Sequence, residues 1–105
     1  MIIQATTPTI SIKVDNVNLN EFREIILVLE QNPYGTIKKK KSNGDIIIGD
    51  DESTLSVILS QEETRKFKES VPLEMQLRVK DSFGNVSASN IVKVNIEKSL
   101  SLEVI

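Results

Sequence analysis

Three charged clusters in this sequence have residue types that could do chemistry. Four consecutive lysines, Lys38 to Lys41, would suit an anionic partner, and the adjacent carboxylates Asp50 to Glu52 would suit calcium. Glu62 and Glu63 form a carboxylate pair of the kind used in general acid–base catalysis. Histidine and cysteine are absent, so the commonest general base, the thiolate nucleophile and the usual zinc ligands are all missing.

The lysine run has a structural explanation that the sequence favours over anion binding. Charged side chains protect an exposed edge strand from pairing with other chains. The dipeptide Asn43-Gly44 follows at once and is typical of a tight hairpin. We therefore expect an edge strand that folds back through Asn43-Gly44 onto residues 45–48, with Asp45 facing the lysines. The residues concerned are Lys38, Lys39, Lys40 and Lys41.

The acidic cluster lies in the segment Gly49 to Ser53, whose composition is typical of a solvated turn. Its spacing does not match the alternating ligands of an EF-hand loop. A turn is therefore the favoured interpretation, and the sequence leaves open whether Asp50 to Glu52 binds calcium.

The glutamate pair belongs to the start of a helix. Ser60 followed three residues later by Glu63 fits a capping box, in which each side chain satisfies a backbone N–H of the other residue. Adjacent helical residues point about 100° apart, so the two carboxylates do not converge. We expect one or two helical turns over residues 61–67, anchored by Phe67. No catalytic function, cofactor or metal is expected of this chain.

Composition limits the class of partner. The 105 residues suffice for one domain with its own core, and the net charge of -2 gives no general attraction to nucleic acid or acidic membranes. No run approaches the roughly 20 apolar residues of a membrane span. The first residues lack a secretion signal, and the initiator-like Met1 disfavours one that has been removed. We expect synthesis in the cytoplasm, with no nucleic-acid or membrane partner.

Alternating apolar and polar side chains predict about seven short strands. Leu73 to Lys80 alternates without a fault, and Ile25 to Leu29 is expected in a central strand covered on both faces. The remaining strands are expected within residues 9–14, 36–42, 45–48, 54–59 and 89–97. This pattern is typical of an all-β, immunoglobulin-like antiparallel sandwich, with the helical turn at 61–67 between strands five and six. The expected domain covers residues 1–98.

Two loops and a tail supply further candidate partner contacts. Tyr34 lies in a strong turn signal. Phe83 lies at the tip of another turn, where partial packing under its own loop is favoured over a partner contact. The tail, residues 99–105, places Leu100, Leu102 and Val104 on one face of a strand without an assigned partner. Such a strand can add to an open sheet edge, so we expect self-association or docking through it. The alternatives are a frayed tail and a tail that closes its own sheet.

Four segments carry a resemblance to a known group of proteins: Ile3 to Thr9, Leu59 to Phe67, Met75 to Lys80 and Ala88 to Ile91. Together they resemble small proteins of this size encoded by phages and prophages of Gram-positive bacteria. The chain is also similar to the immunoglobulin-like N-terminal domains of phage baseplate upper proteins. The resemblance implies a non-catalytic structural or accessory protein of the virion, in the tail or baseplate. Its partners would be other virion proteins or further copies of itself. The resemblance assigns no functional residues.

A surface or secreted adhesion module is the alternative function, and it requires an upstream signal that has been removed. Sugar-binding sandwiches usually present an aromatic platform. Tryptophan is absent, and only Tyr34 and Phe83 are expected to be exposed, so a glycan is the less favoured partner. A third alternative is a regulatory domain that binds an anion through Lys38 to Lys41, with binding that weakens in salt.

Overall fold

Short β-strands make up most of the ordered elements of this chain. A computed structural model describes residues 2–89 and 91–97. The strands are β1 (Ile2–Ile3), β2 (Thr9–Lys13), β3 (Glu24–Gln31), β4 (Gly35–Lys40), β5 (Ile47–Ile48), β6 (Thr54–Ile58), β7 (Leu73–Lys80), β8 (Val86–Ala88), β9 (Val92–Val94) and β10 (Ile96–Glu97). One α-helix, α1 (Gln61–Arg65), and two 3₁₀ segments, Leu19–Glu21 and Lys41–Asn43, connect them.

The strands form an all-β sandwich, which confirms the predicted fold class. One sheet has the order β2-β6-β5, and the other has the order β4-β3-β7 with β8 and β9 both paired to the far edge of β7. All these pairs are antiparallel, whereas β1 and β10 form a short parallel pair. The seven predicted strands correspond to β2 through β7 and a return strand, predicted at residues 89–97, that is divided into β9 and β10. β8 lies before that range and was not predicted.

The core lies between the two sheets. β6 turns Leu55 and Val57 inward, and Leu59 follows them, so all three side chains are fully buried. They meet inner-face leucines of the opposite sheet, such as Leu27 of β3 and Leu73 of β7, which are also fully buried. The buried cluster extends from β1 to β10, so the described residues share one core.

β3 is a central strand, but it is not covered on both faces as predicted. Ile25, Leu27 and Leu29 are buried on its inner face, whereas Ile26 and Val28 on the outer face are partly exposed. The β-branched run therefore reflects strand propensity as well as burial.

The predicted hairpin at Asn43-Gly44 is wrong. β4 instead forms a hairpin with β3 through the turn at residues 31–34, and β5 pairs with β6 in the opposite sheet. Between β4 and β5, the 3₁₀ segment ends at Gly44, whose φ of 76° lies in the left-handed region. Asn-Gly suits this helical end as well as it suits a hairpin, because both need positive φ. The segment carries the chain from one sheet to the other.

α1 closes one end of the sandwich, and its predicted capping box is confirmed. Ser60 Oγ accepts from the Glu63 N–H at 3.1 Å, and Glu63 Oε1 accepts from the Ser60 N–H at 2.9 Å. The helix is five residues long and ends before the buried Phe67, so the predicted range of 61–67 is too long. Among the described residues, no helix is long and apolar enough to cross a membrane.

Candidate functional site

The four consecutive lysines do not form one cationic patch. β4 is an edge strand, as predicted, and side chains alternate along it. Lys39 lies opposite Leu27 and therefore faces inward, whereas Lys38 and Lys40 face outward. Only Lys38 is strongly exposed. Alternation therefore divides the run between the two faces of the sheet.

Two of the lysines have partners within the fold. Lys39 Nζ lies 2.9 Å from Glu63 Oε2, so it joins β4 to α1 in an ion pair. Lys41 Nζ donates to the Phe22 carbonyl at 2.9 Å and secures the loop before β3. Both side chains are only partly exposed. The run is thus mainly structural, and Lys38 is the member best placed to meet a ligand.

Tyr34 and Lys38 line the same cleft, which lies between the start of β4 and α1. The cleft has a volume of about 370 Å³, and its walls also include Glu63, Lys66 and Phe67. The Tyr34 side chain is 51% exposed. A cleft lined by an aromatic side chain and by charged residues can bind a small polar ligand by stacking and hydrogen bonding. The sequence placed Tyr34 and Lys38 among the candidates but did not predict that they would meet.

Glu63 is the carboxylate of this cleft, and its charge is stabilised by its neighbours. Burial raises the pKa of the Glu63 carboxyl, but the backbone N–H of Ser60 and the ammonium of Lys39 stabilise the charged form more strongly. Its pKa therefore lies below the usual value of 4.5. Glu63 is accordingly a poor proton donor at neutral pH, and its contacts are those of a helix cap and an ion pair.

Replacing Lys39 with glutamine should raise the pKa of Glu63 towards 4.5 and make the fold less sensitive to acid. The pKa of Glu63 is lower in the folded than in the unfolded chain, so the unfolded chain binds more protons between the two values. The resulting stabilisation is complete above about pH 4.5 and is lost as the pH falls through the folded pKa. Carboxyl chemical shifts measured through this range give the pKa, and urea unfolding at neutral and acid pH gives the loss of stability.

Lys38→Gln is the matched control for this prediction. It removes the same charge from the preceding residue of β4, whose side chain faces away from that of Lys39 and takes no part in the ion pair with Glu63. We expect the pKa of Glu63 to stay nearly constant in this variant. An equal rise of the pKa in both variants would show that net charge, and not the contact with Lys39, lowers it.

The acidic turn is organised by its own hydrogen bonds. Asp51 Oδ2 accepts from the Thr54 hydroxyl at 2.8 Å, and Asp51 Oδ1 accepts from the Ser53 and Thr54 N–H groups at 3.0 Å each. These contacts, led by the hydroxyl of Thr54, hold the pKa of Asp51 below its usual value. Glu52 Oε2 accepts from Asn18 Nδ2 at 2.8 Å. Within residues 2–89 and 91–97, no group of three or more acidic side chains is placed to hold a metal.

Phe83 is presented to solvent by an ordered turn. Asp81 Oδ1 accepts from the N–H groups of Phe83 and Asn85, both at 2.9 Å, and fixes the loop after β7. The Phe83 side chain is 90% exposed, so packing under its own loop is excluded. Tyr34 lies at the opposite end of the sandwich. It follows the end of β3, where residue 30 pairs with residue 74 at the start of β7, whereas Phe83 follows the end of β7. With about 20 Å of strand between them, the two aromatics do not form one platform.

The structure reveals a candidate site that sequence reasoning missed, on the open side of the sandwich. A cleft of about 530 Å³ lies where β2 faces β9 across the gap between the sheets. It adjoins a second cleft of about 210 Å³ that continues towards β8. We call the two clefts together the open groove. Side chains that line both are Val14, Leu77 and Ser89.

The sequence could not have identified the open groove, because strand pattern does not reveal which edges stay unpaired. The predicted contacts of the tail are a separate matter: Leu100, Leu102 and Val104 lie outside the described residues. The described part of the chain thus has two clefts of interest, the open groove and the cleft lined by Tyr34, which we call the Tyr34 cleft.

Comparison with known proteins assigns no family. No protein-family model matches the chain, and no curated protein sequence matches it significantly. The surface geometry and the sequence resemblance are therefore the two grounds for a function.

Proposed function

We propose that this chain is a non-catalytic structural or accessory protein of a phage or prophage particle. In this proposal it is an immunoglobulin-like module of the tail or baseplate that acts through protein–protein contacts. The observation that carries the proposal is the open groove, an apolar cleft bordered on each side by a sheet edge that pairs with no further strand among the described residues. Such a surface suits an extended polypeptide, which can add backbone hydrogen bonds and apolar side chains at once.

The order of the strands supports the immunoglobulin-like part of the proposal. Immunoglobulin-like sandwiches place their second, fifth and fourth strands in one sheet and their third, sixth and seventh strands in the other. The orders β2-β6-β5 and β3-β7-β8 agree with this arrangement when β1 is counted as the first strand. β4 then extends the second sheet, as an additional strand does in variable-type domains.

Two of the segments that carry the resemblance are in contact. The segment Ile3 to Thr9 packs against the segment Leu59 to Phe67. Gln4 Nε2 donates to the Phe67 carbonyl at 2.6 Å. Thr64 Oγ1 donates to the Thr6 carbonyl at 2.7 Å and accepts from the Thr6 N–H at 3.0 Å. The resemblance therefore includes one contiguous structural unit, as expected for a shared scaffold.

Fractionation of induced prophage tests the proposal. After induction, particles are purified by density-gradient sedimentation and washed in high salt, and the chain is quantified by mass spectrometry. We expect it in the particle fraction at a constant ratio to a tail protein, while a host cytoplasmic enzyme stays in the supernatant. A chain found only among the free proteins would contradict a place in the virion.

A surface or secreted adhesion module that binds glycans is the second candidate, and the Tyr34 cleft favours it. The half-exposed Tyr34 lines a cleft of about 370 Å³, together with Lys38 and Lys66, that a sugar ring can enter. Retention on a glycan array that Tyr34→Ala abolishes would support this function. Phe83→Ala tests the isolated aromatic in the same way. Absence of retention by the unaltered chain would rule this candidate out.

A further inference from the structure

The outer edge of β2 has backbone groups directed away from its sheet. β2 pairs with β6 on one side, and the Val14 N–H donates to the Ser53 carbonyl at 2.8 Å just beyond the strand. Residues that bond to the partner alternate along an antiparallel strand. The N–H and C=O groups of Ser11 and Lys13 therefore point to the other side. Among the described residues, no strand pairs with β2 there.

The facing edge, formed by β8 and β9, is also without a further strand in the described part of the chain. Ala88 lies opposite Arg78, and Val92 lies opposite Met75. The chain from Ala88 to Val92 therefore has one residue more than the stretch of β7 that it faces. Such an excess is a β-bulge, which bends the edge of a sheet. Val92 shares the inner face with Met75, yet 54% of its side chain is exposed. An inner-face valine is thus left uncovered.

The open groove between these edges has the chemistry that a strand with one apolar face requires. Leu27 and Leu77 form its floor, and Ile12, Met75 and Val92 line its walls. Backbone hydrogen-bonding groups border the groove along β2. Apolar side chains on one face of an extended segment would recur about every 6.6 Å and fill it in turn.

We propose that the open groove binds residues 99–105 of a second copy of this chain as an added strand. Leu100, Leu102 and Val104 enter the groove in this arrangement, because they alternate with Ser101 and Glu103. Glu103 then faces outward on the side where Lys13 is exposed, which is a favourable charge pairing. The inference rests on the proposed function and deepens it, since it names the partner and the surface of one protein–protein contact.

A second copy is favoured as the donor of the strand because β10, the described strand next to the tail, offers no edge for a hairpin. β1 pairs with β10 on one side, and the Ser70 N–H donates to the Ile96 carbonyl at 3.2 Å on the other.

Sedimentation velocity of the full chain and four variants tests the inference. We expect the full chain to form a dimer or a larger assembly. A chain that ends at Lys98, the tail variant Leu102→Asp and the groove variant Val92→Asp should each associate at least tenfold more weakly. The matched control is Val86→Asp, because Val86 is 55% exposed but lies on the outer face of β8. This variant should associate like the unaltered chain. Circular dichroism verifies that each variant is folded.

Mixing the two defective variants separates lost association from a general effect of the added charge. Leu102→Asp retains an intact groove, and Val92→Asp retains an intact tail. An equimolar mixture should therefore regain association through one groove and one tail, whereas each variant alone associates at least tenfold more weakly than the unaltered chain. A mixture that stays monomeric would overturn the inference.

A labelled peptide of residues 98–105 identifies the other outcomes. It should bind the chain that ends at Lys98, and the same peptide with Leu102→Asp should not. A full chain that stays monomeric overturns the inference whether or not the peptide binds. If the peptide binds in that case, the tail occupies the groove of its own chain. An assembly that persists in the chain ending at Lys98 overturns it too. In each of these cases, recovery of the chain in purified particles still supports the proposed function.

Discussion

Replacing Gln31 with leucine should lower the free energy of unfolding by about 3 kcal/mol, because it leaves buried backbone groups without partners. The Gln31 side chain is buried at the end of β3. Its Nε2 donates to the carbonyls of Lys68 and Val71, both at 2.7 Å, and its Oε1 accepts from the Lys68 N–H at 2.6 Å. One amide thus satisfies three backbone groups of the segment between α1 and β7. Leucine has a similar volume but offers none of these contacts.

Urea unfolding followed by circular dichroism measures this loss. Gln76→Leu is the matched control, since Gln76 lies on β7 and makes one exposed contact, from its Nε2 to the Ser89 carbonyl at 3.0 Å. We expect the control to change the free energy of unfolding by less than about 1 kcal/mol. A Gln31→Leu variant as stable as the control would show that solvent reaches the Lys68 and Val71 groups.

Replacing Leu55 with alanine should lower the free energy of unfolding by about 3 kcal/mol, within the usual range of about 2–5 for a buried leucine. Leu55 lies on the inner face of β6, which is the middle strand of its sheet, and its side chain is fully buried. The substitution removes apolar contacts with the opposite sheet and leaves a cavity that neighbouring strands can only partly fill.

Ile58→Ala is the matched control on the same strand. Ile58 faces outward at the end of β6 and is 55% exposed, so its loss should cost less than about 1 kcal/mol. Chemical unfolding of both variants gives the difference. Equal losses from the two substitutions would mean that strand propensity, and not burial between the sheets, dominates at β6.

Local patterns predicted those parts of the fold that depend on neighbours in sequence. The strand Leu73 to Lys80 was predicted to the residue, because strict alternation leaves one face for the core. The capping box at Ser60 was predicted because both of its hydrogen bonds lie within four residues. β1 was missed, since two residues are too few to show a period. The Asn43-Gly44 prediction failed because the same dipeptide suits two different connections.

The candidate site depended on neighbours that are distant in sequence, so it was predicted only in part. Residue type identified Lys39 as a charge, but its ion pair follows from the register of β4 and the position of α1. Tyr34 and Phe83 were both expected to be exposed, and the structure separates them to opposite ends. The open groove follows from the order of the strands, since that order decides which edges of β2 and β9 have no partner within residues 2–89 and 91–97.

The parallel pairing of β1 with β10 gives the domain a defined response to mechanical tension. Ile2 pairs with Ile96 and Ile3 with Glu97, so the first and last described strands run side by side in the same direction. A force that pulls the two ends apart would slide these strands past each other. The hydrogen bonds from Ile2 to Asn95 and from Gln4 to Glu97 would then be loaded together and not one after another. Tension applied to the two ends would therefore load the β1–β10 pair before it loaded either sheet.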